Sequence, residues 1–235
     1  MKHIYLDIET TPPEKAGIFE RIKAEIRPPA NYKKQETIEK WLAEEGEAAA
    51  TEQFNKLALD GLYGQIVCIG FAVDDQPVKT ITANGCHENE LIARAFAEID
   101  ALSLNPATGH NDILQIVGHN IEFDIRFLYQ RAVRYGIRIP RSLRETFKPG
   151  QSQYATVDTM KIWSGYRGYV KLKDLAREML GDAGDDIDGK DVAATWAINP
   201  DEVERHCALD VNRVRRLHGM MMAILMTTAL TNEDI

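Results

Sequence analysis

Ile4-Tyr5-Leu6-Asp7-Ile8-Glu9-Thr10 is the stretch on which the reading of the chain turns. Side chains at i and i+2 of a β-strand share a face, so Asp7 and Glu9 project together, about 7 Å apart along the strand. Ile4, Leu6 and Ile8 take the opposite face. A strand this apolar belongs inside a sheet, where lone carboxylates are unfavourable unless a partner compensates them. A bound divalent cation is one such partner; emergence of the strand end into water is the plainer alternative, and the rest of the chain has to decide.

At 235 residues and 44% hydrophobic residues, the chain has the material for one large domain or two small ones. Its net charge of −8 excludes a bulk nucleic-acid coat protein, although a site that binds cations can still meet phosphate locally. Cys68, Cys86 and Cys207 form no CxxC pair and no zinc-ligand pattern. Reduced thiols in a cytoplasmic protein are the simplest account of them. Lys2-His3 leads straight into a strand, so no signal peptide is expected. The apolar run from Met220 to Leu230 is too short to span a membrane; it reads as core packing at a helix end or as a contact between two copies in a homodimer. Internal repeats and Walker, GxSxG or dinucleotide glycine motifs are absent.

Downstream of the opening strand, Pro12-Pro13 ends the ladder. Residues 14–62 are polar and charged and read as a helical insertion. Its two helices run from Ala16 to Ile26 and from about Glu36 to Leu59, the second with apolar stripes at Ile38, Trp41 and Leu42 and at Phe54, Leu57 and Leu59. Gln65 to Val73 is a buried strand, with Pro77 to Ala83 as its hairpin partner. Asn89 to Leu102 is an amphipathic helix. Ile113 to Gly118 is a strand that enters a helix over 122–135. Ala155 to Asp158 is a short strand followed by a helix from Thr159, and Leu172 to Leu180 is a helix stopped by Gly181. Asn199-Pro200 starts the last long helix, which runs to about Thr228. Strands followed by alternating helices and strands predict a mixed-sheet α/β architecture over 1–235.

Two further acids join the opening pair. Asn120-x-x-Phe123-Asp124 sits at a strand-to-helix junction, where open α/β sheets place their sites; helix capping by Asn120 is the competing account. His206 and Asp210 share one face of the last helix by their i, i+4 spacing.

The ordered set of Asp7-x-Glu9, Asn120-x-x-Phe123-Asp124 and His206-x-x-x-Asp210 resembles the DEDD (DnaQ-like) superfamily of 3′–5′ exonucleases, a branch of the ribonuclease H-like fold. It is closest to the type found with family B polymerases and in stand-alone phage or bacterial versions. Val117-Gly118-His119-Asn120, Phe127-Leu128, and the stretches from Gly189 to Trp196 and from Asp201 to Val211 extend the likeness. The resemblance implies a ribonuclease H-like mixed sheet flanked by helices, with residues 14–62 inserted after the first strand. It implies that Asp7, Glu9, Asp124 and Asp210 bind two divalent cations, Mg²⁺ or Mn²⁺, and that Thr10 and Asn120 contact the terminal nucleotide. The expected substrate is the 3′ end of single-stranded DNA or RNA, DNA favoured, in phage replication, repair or antiviral defence. The alternatives are an exoribonuclease and a non-catalytic nucleic-acid-binding module.

His206 departs from the family pattern, which has Tyr four residues or His five residues before the last acid. Here His stands at the tyrosine spacing. It is read as orienting or deprotonating the attacking water, with a contact to substrate as the other role open to it. A basic run (Arg126, Arg131, Arg134, Arg138, Arg141, Arg144, Lys148) and a second group (Arg167, Lys171, Lys173) among Trp163, Tyr166 and Tyr169 suit a single-stranded backbone and stacked bases; a solvated helix face and ordinary packing are the plainer reading.

Overall fold

The computed structural model describes residues 2–105, 107–148, 150, 155–182 and 187–226. The strands are β1 (His3–Thr11), β2 (Gln65–Val73), β3 (Lys79–Thr82), β4 (Leu104–Asn105), β5 (His110–Asn111), β6 (Gln115–Gly118) and β7 (Thr156–Asp158). The helices are α1 (Ile18–Glu25), α2 (Gln35–Glu44), α3 (Gly46–Lys56), α4 (Glu88–Ser103), α5 (Ile121–Tyr135), α6 (Arg141–Glu145), α7 (Thr159–Ser164), α8 (Leu172–Leu180), α9 (Val192–Ile198) and α10 (Pro200–Met226). Five strands form one mixed sheet in the order β3-β2-β1-β6-β7. β2 and β3 run antiparallel to their neighbours, whereas β1, β6 and β7 are mutually parallel.

The alternation read in β1 is the alternation found. Ile4, Leu6 and Ile8 enter the main core with β2 and the inner faces of α4 and α5. Tyr5 packs on the other face with Val211 and Val214 of α10. Asp7 and Glu9 share Tyr5's parity and lie under α10. The acids therefore sit on a core strand, covered by a helix, and not at a strand end in water.

Gly70 decides how close that helix comes. It lies opposite Asp7 in the β1–β2 ladder. A Cβ built there would meet Cys207 Sγ at 2.8 Å and Val211 Cγ2 at 3.0 Å. Only a residue without a Cβ lets α10 seat at this depth.

The insertion is helical but is divided differently from the expectation. The helix foreseen over 36–59 breaks at Glu45-Gly46 into α2 and α3 and ends in a 3-10 turn at Leu57–Leu59. Gly46 has the lowest helix propensity in the run. The stripe at Ile38, Trp41 and Leu42 finds no core, because α2 buries no residue. Ile18, Ile22 and Ala50 instead form a small core of their own, with Phe54, Leu57 and Tyr63 against it.

Two other expectations need correction. The apolar end of α10 is not core: Met220, Ile224, Leu225 and Met226 are exposed, since the helix outruns the sheet after its last buried residue, His218. The end foreseen at Thr228 falls outside the described residues. Arg131 is not a surface cation. It is buried and clamps Glu88 through Nε (2.8 Å) and Nη2 (2.6 Å), while Glu88 Oε1 accepts from Ile66 N at 2.8 Å. This pair ties α5 to α4 and to the start of β2.

Candidate active site

Three elements converge at the C-terminal end of β1. β1 brings Asp7 and Glu9, α5 brings Asp124 at its first turn, and α10 brings His206 and Asp210. His206 Nε2 stands 3.6 Å from Glu9 Oε1 and 3.8 Å from Asp210 Oδ2. Ligand atoms of Glu9, His206 and Asp210 lie within 4.8 Å of one another, as do those of Asp7, Glu9 and Cys207. Asp124 Oδ1 accepts from the backbone N–H of Ile8 at 3.1 Å, which docks the start of α5 between the two strand acids. All five residues read as the candidate centre are thus brought together. A β-bulge follows at once: Glu9 pairs with Cys68 but Thr10 with Ile66, leaving Val67 as the extra residue. The bulge re-aims the strand beyond Glu9, and Thr10 lines the adjoining cleft.

The electrostatics are those of an acid cluster without enough counter-charge. Burial, then the charges of Glu9, Asp124 and Asp210, push the Asp7 carboxyl well above the usual carboxylate range. Burial, then Asp210 and Asp124, do the same to Glu9. Burial pushes Asp124 up to about 8, against hydrogen bonds from its own backbone N–H and that of Ile8, with Asp158 adding repulsion. Among the described residues, Asp7 Oδ2 is buried and has no hydrogen-bond partner, and only the Cys207 thiol lies near enough to lower the carboxyl's pKa. Crowded carboxylates and an orphaned buried oxygen are what a hard divalent cation satisfies, so the residues present could hold one. Cys207 is a poor ligand by contrast: its thiol is fully buried, beside Cys68 and the carbonyl of Asp7, and is held well above its ordinary pKa by the Cys68 hydrogen bond and by burial.

Asn120 does not cap α5. Its backbone is left-handed (φ 61°, ψ 37°), its side chain makes no capping bond, and it is exposed. Non-glycine residues hold that conformation at a cost of order 1 kcal/mol or more. Its own N–H donates to Asp158 Oδ1 at 3.0 Å. Asp158 is the cap of α7, accepting from Met160 and Lys161 N–H groups. The strained turn leaves the Asn120 amide on a cleft of about 480 Å³ shared with His119, Tyr169, Lys171, Lys173, His206 and Asp210. Of the second basic and aromatic group, Tyr169, Lys171 and Lys173 line this cleft, where both lysines pair with Asp188; Tyr166 and Tyr169 stand 87% and 72% exposed. In the first basic group, Arg126 pairs with Glu122 and Lys148 with Glu145 on the surface, as a solvated helix face would.

Three residues position the site although the sequence pattern gave them no role of their own. Arg213, 1% exposed, donates to Asp210 and to Asp182; its i, i+3 spacing from Asp210 was the available signal. Gly70 sets the depth of α10 and was hidden within an apolar run. His119 joins the Val170 carbonyl through Nε2 at 2.8 Å and the Thr159 hydroxyl through Nδ1 at 3.0 Å. Burial lowers its pKa, so a neutral ring holds the Tyr169–Lys171 wall against the sheet end. Among the described residues, no helix is long and apolar enough to cross a membrane.

No family model matches the chain, and no curated protein matches it. Among solved structures it is similar to the family B DNA polymerase from the hyperthermophilic archaeon Pyrobaculum calidifontis, with a TM-score of 0.54 and 17% sequence identity over 96% of this chain. The match takes up 24% of that polymerase chain, so this chain spans about a quarter of its length. The likeness is one of fold: a five-stranded mixed sheet flanked by helices, compatible with the ribonuclease H-like arrangement.

Proposed function

We propose that the chain is a divalent-metal-dependent 3′–5′ exonuclease that shortens single-stranded nucleic acid, DNA favoured. One observation carries the reading. Asp7, Glu9, Asp124 and Asp210 come from three separate elements and converge with His206, and Asp210 and His206 open onto a cleft that Tyr169, Lys171 and Lys173 also line. A fold-stabilising role does not account for four clustered acids, three of them raised in pKa, around a buried carboxylate oxygen without a partner among the described residues. The motif resemblance and the polymerase-like fold support the same reading.

Asp7, Glu9, Asp124 and Asp210 would hold the cations. Bound there, the metals supply Lewis acidity and charge neutralisation for phosphodiester hydrolysis. His206 Nε2, between Glu9 and Asp210, is placed to take a proton from water at the phosphate or to fix its orientation. The Asn120 amide and Thr10 would contact the terminal nucleotide. Lys171, Lys173 and Tyr169 would hold backbone and base in the adjoining cleft.

The test is incubation of 5′-labelled single-stranded DNA and RNA with Mg²⁺, Mn²⁺ or EDTA. A ladder shortening from the 3′ end with metal, and lost in EDTA and in Asp7→Ala, is expected. Cleavage of RNA alone would make the protein an exoribonuclease. Binding without cleavage of either polymer would make it a nucleic-acid-binding module.

A further inference from the structure

The clefts around the acids form a chain. The cleft beside His206 and Asp210 shares Gly189 and Lys190 with an apolar one of about 750 Å³, lined by Thr10, Pro12, Phe54, Leu59 and Trp196. That cleft in turn shares Pro13, Glu14 and Gln65 with a third, of about 470 Å³. The insertion and the end of α5 wall this last one, through Lys15, Arg21, Tyr63, Arg134 and Tyr135.

Its chemistry runs against the −8 net charge of the chain. Arg131 also lines it, but Glu88 cancels that charge. Among the described residues, Lys15, Arg21 and Arg134 enter no ion pair. The Arg21 guanidinium lies 5.9 Å from the Tyr63 ring centroid, and that of Arg134 lies 6.0 Å from the Tyr135 ring. Exposed cations stacked on tyrosines offer phosphate contacts and π-faces at once. The distance to the acids follows from the elements. Ten residues of α5 separate Asp124 from Arg134, about 15 Å at about 1.5 Å per residue. At roughly 3.4 Å per stacked nucleotide, that is about four nucleotides.

We propose that Lys15, Arg21 and Arg134 form a second contact site for the backbone of a single-stranded polynucleotide, about four nucleotides from the 3′ end held at the acids. The strand reaches it across the apolar cleft, so the insertion works as a strand guide. The position of the 3′ end rests on the exonuclease reading; the binding of a polynucleotide at this site does not.

The test is the doubly substituted Arg21→Ala/Arg134→Ala protein, both residues being exposed. Cleavage is measured on oligothymidylates of four and twelve nucleotides and on a twelve-nucleotide oligouridylate. Binding of labelled twelve-mers is followed by fluorescence anisotropy against salt. On the four-mer, kcat/KM stays within two-fold of wild type. On the twelve-mers, KM rises about ten-fold with kcat unchanged, and the log–log salt slope of binding becomes shallower by about 1.5, as two lost phosphate contacts require. The same loss on DNA and RNA marks a backbone site, and a loss on one alone marks a site selective for that sugar. Equal effects on four-mer and twelve-mer, or unchanged binding of both twelve-mers, would overturn the proposal. If wild type cleaves nothing, the exonuclease reading falls and the anisotropy comparison alone decides the site.

Discussion

Arg213 donates from Nη1 to Oδ1 of Asp210 at 2.9 Å, one helical turn further along α10. Its Nε donates to Asp182 Oδ2, also at 2.9 Å. A buried cation thus grips one oxygen of a cluster acid from behind and is itself gripped by a second acid, while Asp210 Oδ2 faces His206. Partners of metal-ligating carboxylates hold them in orientation, and their loss typically costs about 10–100-fold in metal affinity or activity.

Arg213→Met is accordingly expected to raise the Mn²⁺ concentration for half-maximal binding by about 10–100-fold. It should also lower stability by roughly 3–5 kcal/mol, because Asp182 loses a buried partner. Arg213→Lys should recover stability more fully than metal affinity, since a lysine cannot fork to both acids. Isothermal titration with Mn²⁺ on folded protein, beside thermal melts, reads the two effects separately. Wild-type Mn²⁺ affinity in the methionine variant would remove Arg213 from the site.

Gly70 makes a steric prediction. Gly70→Ala drives a Cβ to 2.8 Å from Cys207 Sγ and 3.0 Å from Val211 Cγ2. α10 has to shift and carry His206 and Asp210 with it. Overpacking of this kind costs about 1–3 kcal/mol, and the displaced site should lose activity beyond what the lost stability explains. Gly70→Ala combined with Cys207→Ala removes the worst clash and should recover part of both. Nuclease rates and melting temperatures of the single and double variants check this, and a double variant no better than the single one would refute it.

The places where the sequence was legible and where it was not differ in physical kind. Period-two alternation around Asp7 and Glu9 foretold a strand with an apolar face and an acidic one, and Ile4, Leu6, Ile8 and Tyr5 divide accordingly. The strand-to-helix turn at Asn120 and the i, i+4 pair on α10 were local patterns too. What escaped was contact between distant residues. Arg131 reads as one of a surface series until Glu88, 43 positions earlier, is brought to it. Gly70 has no meaning until Cys207 is packed on it. Ile38, Trp41 and Leu42 have a helical period, but a period does not guarantee a core to face.

The raised carboxylates give a pH dependence with a defined sign. The folded pKa of Asp124, about 8, lies above its unfolded value of about 3.9. Its protonation therefore favours the folded state below the unfolded pKa, and that stability is lost as pH rises through the folded value. Metal-free protein should melt at lower temperature at pH 9 than at pH 6, and Asp124→Asn should reduce the loss. Cations replace the protons, so the Mg²⁺- or Mn²⁺-induced rise in melting temperature should grow with pH, with protons released on binding. Melting curves from pH 6 to 9, with metal and with EDTA, would show no such divergence if the acids do not share a cation site.

His218 works in the opposite direction at the far end of α10. It is 3% exposed, takes a contact from the Tyr5 hydroxyl at Nδ1 (3.1 Å), and among the described residues has no partner at Nε2. Burial, then the neighbouring His3, lowers its pKa to about 4. Protonation in the unfolded chain near pH 6.5 then draws protein away from the folded state. The contribution of His218 to stability should fall as pH drops from about 6.5 to about 4, by on the order of 3 kcal/mol, against the gain that the raised carboxylates give over the same range. His218→Phe should remove that contribution, raising stability at pH 4.5 relative to pH 7 compared with wild type, and leave the alkaline limb in place. Denaturant titrations at pH 4.5, 5.5 and 7 measure it, and an unchanged acid limb would assign the loss to other groups.

His206 is the residue on which the proposed chemistry turns. Its Nε2 lies between Glu9 and Asp210 at 3.6 and 3.8 Å, so it is near enough to act on water at a phosphate held there. It also sits in the wall of the basic cleft, so it could act by holding substrate instead. The two roles separate kinetically. A proton-transfer role predicts that His206→Ala lowers kcat by about two orders of magnitude or more at little change in KM. It also predicts that His206→Gln, which can hydrogen-bond but not take a proton, fares little better. A substrate-holding role predicts a raised KM that glutamine repairs. Near-normal turnover in both variants would take His206 out of the mechanism and leave the carboxylates to act without it.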